Sequence, residues 1–380
     1  IARRAERMQA SLGALAAALR ESLRRGRLQR EQDTLDREYV SHEELLASGQ
    51  CSAGAANEPL NRYCNLFPLD AHRVVLQGKP QGGASSDFVN ASHVVLPSLP
   101  PDEAARGPFI VAQGPMHPDW HGPDTLPAFW RMVSEQDVGT VVSMSRTGRG
   151  FTGFAPWWPQ GGAGSEATYG EFRVRCASEE MTAHAAASAT CNPMSANLQP
   201  YVCQPATLCL PDCNPMSPRC ASEETTVHAN VIRELWFSST QGDSSDERRV
   251  VQLQTTAWPN YGVPEETGGV CELLHLCRAT REEHAFASTS GRCTLVHCSG
   301  GVGRSGTFLT AFTAMASTLW AGAPWPGAQF SLLPTVRALR SQRHPMCVEG
   351  IAQLGFAYEC VADALEQGAQ GAGRDVRGGA

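Results

Sequence analysis

The sequence predicts an α/β fold that combines strands with helices. Three observations predict this fold: β-rich runs in the first half of the chain, a strand–loop–helix pattern around residue 298, and helical runs after it. Of the 380 residues, 42% are hydrophobic, which is enough to bury a large core.

An arginine-rich helix is predicted for residues 1–33. Its apolar side chains recur at helical spacing, at Met8, Leu12, Leu15, Ala16, Leu19 and Leu23. Two interpretations are open: the helix packs against the domain or a neighbouring molecule, or it binds a membrane surface or a partner. After it, Ser41 and Glu44 have the spacing of a capping box, which predicts a second, short helix.

The middle of the chain alternates loops with strands. Residues 47–58 are small and polar and predict a loop. Strands are predicted from β-branched and apolar runs at residues 87–92, 109–115, 138–144, 169–175, 231–237 and 249–256. A helix is predicted for residues 267–286. Residues 367–380 are rich in glycine and predict a flexible tail.

Residues 176–228 are predicted to be a low-complexity insertion that contains a duplication. Cys176-Ala177-Ser178-Glu179-Glu180 recurs at residues 220–224, and the sequence of residues 191–195 recurs at 213–217. The composition predicts little fixed structure. It holds Cys191, Cys203, Cys209 and Cys213, flanked by Cys176 and Cys220. Their spacing differs from that of usual zinc sites, so a metal site is the less favoured interpretation.

The stretch from Val296 to Thr307 combines a thiol with the parts of an oxyanion site. It follows an apolar strand and leads into a helix, and three glycines separate Cys298 from Arg304. Glycines let successive N–H groups point inward, and the helix adds its positive end. Arg304 can bind two oxygens at once. The same positive field lowers a thiol pKa, which predicts that Cys298 is a thiolate nucleophile to which Ser305 can hydrogen-bond.

Composition limits the possible partners and compartments. The formal net charge of −7 argues against a nucleic-acid partner. No apolar run is long enough to predict a membrane span, and no signal peptide accompanies the 14 cysteines. A thiolate nucleophile needs a reducing compartment, so we expect the cytoplasm. The chain begins at Ile1, which leaves a preceding targeting or membrane segment open.

The stretch from His297 to Thr307 resembles the signature loop of the cysteine-dependent protein tyrosine phosphatases, His297-Cys298-(x5)-Arg304-Ser305-Gly306-Thr307. Asn61-Arg62-Tyr63, followed by Pro68-Leu69-Asp70, is similar to the phosphotyrosine-recognition loop of that family. Residues 87–92, 109–115 and 129–133 resemble its scaffold segments in the expected order. The resemblance covers residues 34–366 and implies the single α/β domain of that family, in which a twisted mixed sheet is flanked by helices and the active site lies at the carboxyl ends of the strands.

The resemblance also implies an activity, namely hydrolysis of phosphotyrosine in proteins through a phosphocysteine, without a metal or other cofactor. Cys298 is then the nucleophile, Ser305 assists departure of the thiolate, and His297 tunes the cysteine from behind. Tyr63 forms one wall of a slot too deep for phosphoserine, with Asn65 beside the substrate. The phosphate is bound by Arg304 and by the backbone of Ser299, Gly300, Gly301, Val302 and Gly303.

The segment Trp258-Pro259-Asn260 is similar to the mobile loop of the family, but it departs from it at one position. In the family an aspartic acid stands where this chain has Asn260, and it protonates the departing tyrosine oxygen. Asparagine cannot give up a proton, so the departure predicts a slow enzyme or a protein that binds phosphotyrosine without turning it over. Glu265 and Glu266 lie just beyond and are candidate substitutes.

A second departure concerns the loop that orients the attacking water. The family has two glutamines there; Glu349 stands at the first position and Gln353 matches the second. Glu349 is either a base for the second step or a group that repels phosphate.

Three functions therefore stay open: a tyrosine phosphatase, an impaired phosphotyrosine-binding protein, and a dual-specificity phosphatase, which would not need Tyr63. For Cys293, five residues before Cys298, a buried inert thiol is favoured over a regulatory disulfide.

Overall fold

The computed structural model describes residues 2–77, 87–120, 122–148, 153–183, 229–240, 246–259, 262–287, 291–321 and 330–375. Within these ranges the strands are β1 Arg73–Val75, β2 Phe88–Val94, β3 Phe109–Ala112, β4 Val138–Ser143, β5 Glu166–Tyr169, β6 Phe172–Ala183, β7 Ala229–Ser239, β8 Arg248–Thr255 and β9 Cys293–His297. They form one sheet in the order β1-β2-β3-β9-β4-β8-β7-β6-β5. Neighbours among β3, β9, β4 and β8 are parallel and the other pairs are antiparallel, which confirms the predicted mixed sheet.

Strand β9 lies in the parallel centre of the sheet. All five of its residues are buried, as expected for a strand covered on both faces. Leu295 and Val296 belong to two separate hydrophobic clusters, because successive side chains point to opposite faces. His297 pairs with Ala112 of β3 and Ser143 of β4. Three carboxyl ends of parallel strands therefore meet where the thiol-bearing loop begins.

The helices cover both faces of this sheet. They are α1 Ala2–Arg24, α2 Arg27–Arg37, α3 His42–Ala47, α4 Ser52–Ala56, α5 Pro101–Ala104, α6 Leu126–Glu135, α7 Gly268–Ala287, α8 Gly303–Met315, α9 Leu333–Gln342 and α10 Gly350–Asp375. Helices α7 to α10 pack on the face that Val296 points to, whereas α6 packs on the opposite face. Ser41 and Glu44 form the predicted capping box.

The arginine-rich N-terminal segment is two helices, so the prediction of one helix over residues 1–33 was wrong. Gly26 adopts φ +77°, a left-handed conformation that ends α1 and that glycine tolerates best. The predicted domain boundary at residue 34 falls inside α2. Leu15 and Leu19 of α1 are buried, and Arg20 forms an ion pair of 2.8 Å with Glu366 of α10. The interpretation that this segment packs against the domain is confirmed.

Three other boundaries differ from the sequence prediction. Helix α4 forms inside the predicted loop of residues 47–58. Helix α10 continues to Asp375, into the segment predicted to be a flexible tail. Strand β6 continues to Ala183, so the first eight residues assigned to the insertion belong to the sheet, where pairing with β7 overrides their polar composition. Residues 184–228, with the cysteines at 191, 203, 209 and 213, lie outside the described residues.

The duplicated sequence predicts that 44 residues can be removed. Residues 176–180 occupy β6, where Glu179 pairs with Arg233 of β7, and residues 220–224 repeat the same five residues. Deleting residues 176–219 joins Arg175 to the second copy and leaves Glu223 at the position of Glu179. We expect the melting temperature to change by only a few degrees, which corresponds to about 1 kcal/mol. Thermal unfolding followed by circular dichroism measures this.

An equally long deletion, of residues 172–215, is the control. It removes Phe172 and Val174, which are buried in the core, and is expected to prevent cooperative unfolding. A large loss of stability in the first deletion would contradict the equivalence of the two copies.

Candidate active site

The loop between β9 and α8 can form only because it contains glycine. Gly301 has φ +68°, and a Cβ atom on it would lie 2.2 Å from the carbonyl oxygen of Ala112. A Cβ atom on Gly300 would lie 2.7 Å from Leu66. Any larger residue at these positions would push the loop away from β3 and from the segment that carries Tyr63. The predicted need for glycine in this loop therefore has a steric cause.

Cys298 is buried in this loop and its sulfur accepts a hydrogen bond from the Gly301 N–H at 3.2 Å. Burial by itself raises the pKa of the thiol. The charge of Arg304, the Ser305 hydroxyl and the N–H groups of Ser305 and Val302 outweigh it, so the pKa of Cys298 is lowered from its ordinary value. The geometry therefore favours the thiolate form of Cys298 more than that of an unperturbed cysteine.

The lowered pKa of Cys298 predicts the pH dependence of its alkylation. The thiolate is the reactive form and persists as the pH falls until the lowered pKa is reached. We therefore expect the rate of alkylation by iodoacetate to reach its half-maximum below about pH 8.5, the value of an unperturbed thiol. Ser305→Ala should move this midpoint upward, because it removes a buried hydroxyl that has no other hydrogen-bond partner among the described residues and that helps to lower the pKa of Cys298. Mass spectrometry of the peptide that contains Cys298 gives the rates.

Thr310→Ala is the matched control for that experiment, since Thr310 is a second buried hydroxyl of α8 that does not contact the sulfur. A midpoint at or above that of an ordinary thiol would contradict the assignment of Cys298.

Arg304 is the second residue of α8, and its guanidinium group has an unused hydrogen-bond donor. Its Nη1 atom is buried and has no hydrogen-bond partner among the described residues. The N-terminal end of α8 contributes the positive end of its dipole at the same place. A bound oxyanion would accept a hydrogen bond from Nη1 and would be stabilised by the positive end of the helix dipole. A guanidinium group and helix N–H groups are preferred ligands of phosphate.

Tyr63 lies against the loop, as the sequence predicted. Its hydroxyl forms a hydrogen bond of 2.7 Å with Ser299 Oγ, and its ring atom Cε2 would lie 3.3 Å from a Cβ atom on Gly300. Gln113 supports this segment by accepting from the Arg62 N–H at 2.9 Å. Asn65 is exposed two residues beyond Tyr63. The segment thus places an aromatic wall beside the loop that contains Cys298.

His297 lies behind the loop and contacts the backbone of Cys298. Its Nε2 accepts from the Trp157 indole N–H at 3.2 Å, and because the indole can only donate, the ring proton is on Nδ1. That Nδ1–H then donates to the Cys298 carbonyl oxygen at 3.2 Å. Ser143 Oγ also lies 2.8 Å from Nε2. Burial lowers the pKa of His297 to about 4, so the ring stays neutral and orients the cysteine backbone.

Gln353 lies against the other side of the loop. Its Oε1 accepts from the Glu349 N–H at 2.8 Å and from Thr307 Oγ1 at 3.2 Å. A Cβ atom on Gly303 would lie 2.9 Å from its amide nitrogen. Glu349 is exposed at the rim, where the surrounding protein raises its carboxyl pKa and the charge of Arg304 partly offsets this. The structure thus brings Gln353 and Glu349 to the same site as Cys298.

Trp258 anchors the segment that carries Asn260. Its indole is buried, packs edge-to-face on Phe356 at 5.1 Å and donates to the Gly262 carbonyl oxygen at 3.0 Å. Asn260 itself lies outside the described residues, so its proposed role stays a prediction. Glu265, one of the two candidate substitutes, is exposed.

A disulfide between Cys293 and Cys298 is ruled out by the strand that separates them. Five residues of extended chain span about 16 Å, whereas a disulfide requires Cα atoms closer than about 7 Å. Burial raises the pKa of Cys293 to about 12, which confirms the interpretation of an inert thiol. Every cysteine in the described part of the chain is free.

Arg343 is a component of the site to which the sequence assigned no role. It follows α9 and is fully buried, and it donates to the carbonyl oxygens of Gly301 and Gly300 at 3.0 and 3.1 Å. The neighbours Gln342 and His344 do not indicate this contact in the sequence, because Arg343 and the two glycines are more than 40 residues apart. A buried arginine cannot be distinguished from an exposed one by sequence alone.

Over the residues that the structure describes, no cluster of three or more histidine, cysteine or acidic side chains is arranged to bind a metal ion. In the same part of the chain, no helix is both long enough and apolar enough to span a bilayer.

Comparison with known proteins identifies the family of this chain. The family model described as protein-tyrosine phosphatase matches residues 57–197 and 197–363. The chain is 28% identical over 319 residues to mouse tyrosine-protein phosphatase non-receptor type 4, covering 84% of this chain and 26% of the relative. It is 27% identical over 314 residues to tyrosine-protein phosphatase 1 of Caenorhabditis elegans, covering 82% and 23%.

A third relative is human receptor-type tyrosine-protein phosphatase alpha, 28% identical over 269 residues, covering 70% of this chain and 25% of the relative. The chain therefore spans about a quarter of the length of these curated relatives. Since the family model covers most of the chain and its two matches include the thiol-bearing loop, this chain belongs to the protein-tyrosine phosphatase family.

Proposed function

We propose that this protein hydrolyses phosphotyrosine in proteins through a phosphocysteine intermediate. The observation that carries the proposal is the buried Cys298 with a lowered pKa, beside the unpartnered Nη1 of Arg304. Nucleophile and oxyanion donor are thus present in one loop. The relatives named as tyrosine-protein phosphatases support the same chemistry.

In the first step the Cys298 thiolate attacks phosphorus. A P–S bond forms, the P–O bond to tyrosine breaks, and the tyrosine oxygen leaves with the electron pair. Arg304 and the inward N–H groups of residues 299–303 stabilise the negative oxygens of the transition state. The tyrosine oxygen then takes a proton from solvent, because Asn260 cannot supply one.

In the second step water attacks the phosphocysteine, the P–S bond breaks, and Ser305 donates a hydrogen bond to the departing thiolate. Gln353 orients the water, and Glu349 accepts its proton. The raised pKa of Glu349 makes its carboxylate a better base than an ordinary one.

The geometry supports phosphotyrosine as the substrate. The Tyr63 ring stands beside the loop, held by a hydrogen bond of 2.7 Å between its hydroxyl and Ser299 Oγ. We expect it to form one wall of a slot with the buried Cys298 at the bottom. Phosphoserine is too short to reach such a cysteine, which disfavours a dual-specificity phosphatase. The free cysteines of the described chain suit a reducing compartment such as the cytoplasm.

The second candidate function is a phosphotyrosine-binding protein with little turnover. Asn260 favours it, since loss of the general acid slows expulsion of tyrosine and removes a negative charge near the bound phosphate. Such a protein would compete for, or protect, its phosphorylated target.

Burst kinetics with two aryl phosphates distinguish these functions. Para-nitrophenyl phosphate has an activated leaving group that needs no acid, whereas a phosphotyrosine peptide does. We expect a rapid burst with the first and a slow one with the second. Absence of a burst with both would contradict the enzyme. Equal rates would instead contradict the importance of Asn260.

A further inference from the structure

Arg343 is a buried cation directly behind the loop that contains Cys298. Its side chain makes four hydrogen bonds: to the Gly301 and Gly300 carbonyl oxygens, to Asn90 Oδ1 at 2.6 Å and to Ser92 Oγ at 3.4 Å. In the described part of the chain no carboxylate forms an ion pair with it. Burial lowers its pKa to about 10, so it is still charged at neutral pH.

Two peptide groups connect Arg343 to the nucleophile. The peptide between Gly300 and Gly301 offers its oxygen to Arg343, and its N–H donates to the Cys298 sulfur at 3.2 Å. The next peptide offers the Gly301 oxygen to Arg343, and its Val302 N–H is among the groups that lower the pKa of Cys298. In a trans peptide the C=O and N–H point in opposite directions, so fixing the oxygens behind the loop directs both N–H groups toward the sulfur.

The same guanidinium also reaches the segment that carries Tyr63. Asn90 accepts from Arg343 with its oxygen, and its nitrogen donates to Asn61 Oδ1 at 2.7 Å and to the Leu66 carbonyl oxygen at 2.8 Å. Asn61 and Leu66 lie on either side of Tyr63 in the sequence. One buried amide therefore ties the slot wall to the back of the phosphate-binding loop.

We propose that Arg343 is a positioning residue that stabilises the Cys298 thiolate through two peptide groups, and that Asn90 extends this control to the slot. The proposal rests on the proposed function only in taking this loop as the phosphate site. Arg343 does not touch the substrate. Its positive charge polarises both peptides, which strengthens the hydrogen bonds they donate.

Arg343→Lys tests whether Arg343 stabilises the Cys298 thiolate. A lysine keeps the charge but cannot bind two carbonyl oxygens in one plane. We expect the midpoint of the Cys298 alkylation profile to rise by about one pH unit. We also expect inorganic phosphate to protect Cys298 about tenfold less well, because the inward N–H groups lose their orientation.

Arg281→Lys is the matched control. Arg281 is equally buried and also donates to two backbone oxygens, those of Glu103 and Gly107, at 3.0 and 2.9 Å. It is expected to lose similar stability without moving the alkylation midpoint. If Arg343→Lys leaves the midpoint and the phosphate protection at their original values, or if both variants shift them equally, the proposal is wrong. Neither readout needs turnover, so an inactive protein does not obscure the result.

Asn90→Ala tests whether Asn90 connects Arg343 to the slot. On a Cys298→Ser background, binding of a phosphotyrosine peptide measured by calorimetry should weaken several-fold. Measured with Cys298 present, the alkylation midpoint should stay close to its original value. Unchanged peptide binding would contradict the proposed link between Asn90 and the slot. An upward shift of the alkylation midpoint as large as that of Arg343→Lys would contradict separate roles for Arg343 and Asn90.

Discussion

Replacing Cys298 by serine is expected to abolish turnover, by roughly 10⁶-fold, the magnitude seen when other covalent nucleophiles are removed. A serine hydroxyl is not ionised by the field of Arg304, so no nucleophile forms. The phosphate-binding donors remain, and the negative charge of the thiolate is lost. Binding of a phosphotyrosine peptide should therefore persist or become tighter. Steady-state kinetics and calorimetry measure the two effects.

Cys64→Ser is the control, because Cys64 is an exposed thiol next to Tyr63. It is expected to retain turnover. If Cys298→Ser retained as much turnover as Cys64→Ser with either aryl phosphate, the phosphocysteine mechanism would be wrong.

Replacing Asn260 by aspartate is expected to increase turnover of phosphotyrosine by about 10²–10⁴-fold, the usual contribution of a positioned general acid. The acid must be protonated to donate, so the gain is largest at mildly acidic pH and decreases as the pH rises through the carboxyl pKa. Para-nitrophenyl phosphate should gain much less, since its leaving group needs no proton. The ratio of the two kcat values is the measurement.

Asn260→Ala is the control. It removes the amide without introducing an acid, so turnover of phosphotyrosine should not increase. If Asn260→Asp leaves the phosphotyrosine rate unchanged, another residue already supplies the proton. Glu265→Gln and Glu266→Gln would then identify it, because only the change at the residue that supplies the proton should lower the rate of the original protein.

The centre of the fold was predictable because its signals are local. The apolar run of β9, the glycines after it and the helical run of α8 are contiguous in the sequence, and each follows from backbone sterics. Boundaries were less predictable. Helix α10 continues to Asp375 although that segment is rich in glycine, and β6 continues to Ala183 because β7 pairs with it.

The same distinction applies to the site. Cys298, Arg304 and Ser305 stand in one loop, so the sequence alone brings them together. The contacts of Arg343 with Gly300 and Gly301 join residues 42 or more positions apart, and only the folded chain shows them. The tautomer of His297 was also beyond the sequence, since it depends on the indole of Trp157.

The packing of α1 on α10 has a consequence for how the protein is made. Arg20 and Glu366 are 346 positions apart, so α1 leaves the ribosome long before its partner exists. At about 5–20 residues per second, that interval lasts roughly 20–70 s. Until α10 has been made, Leu15 and Leu19 lack the helix on which α1 packs. Docking of α1 is therefore expected to be the last step of folding and the one in which a chaperone has most to protect.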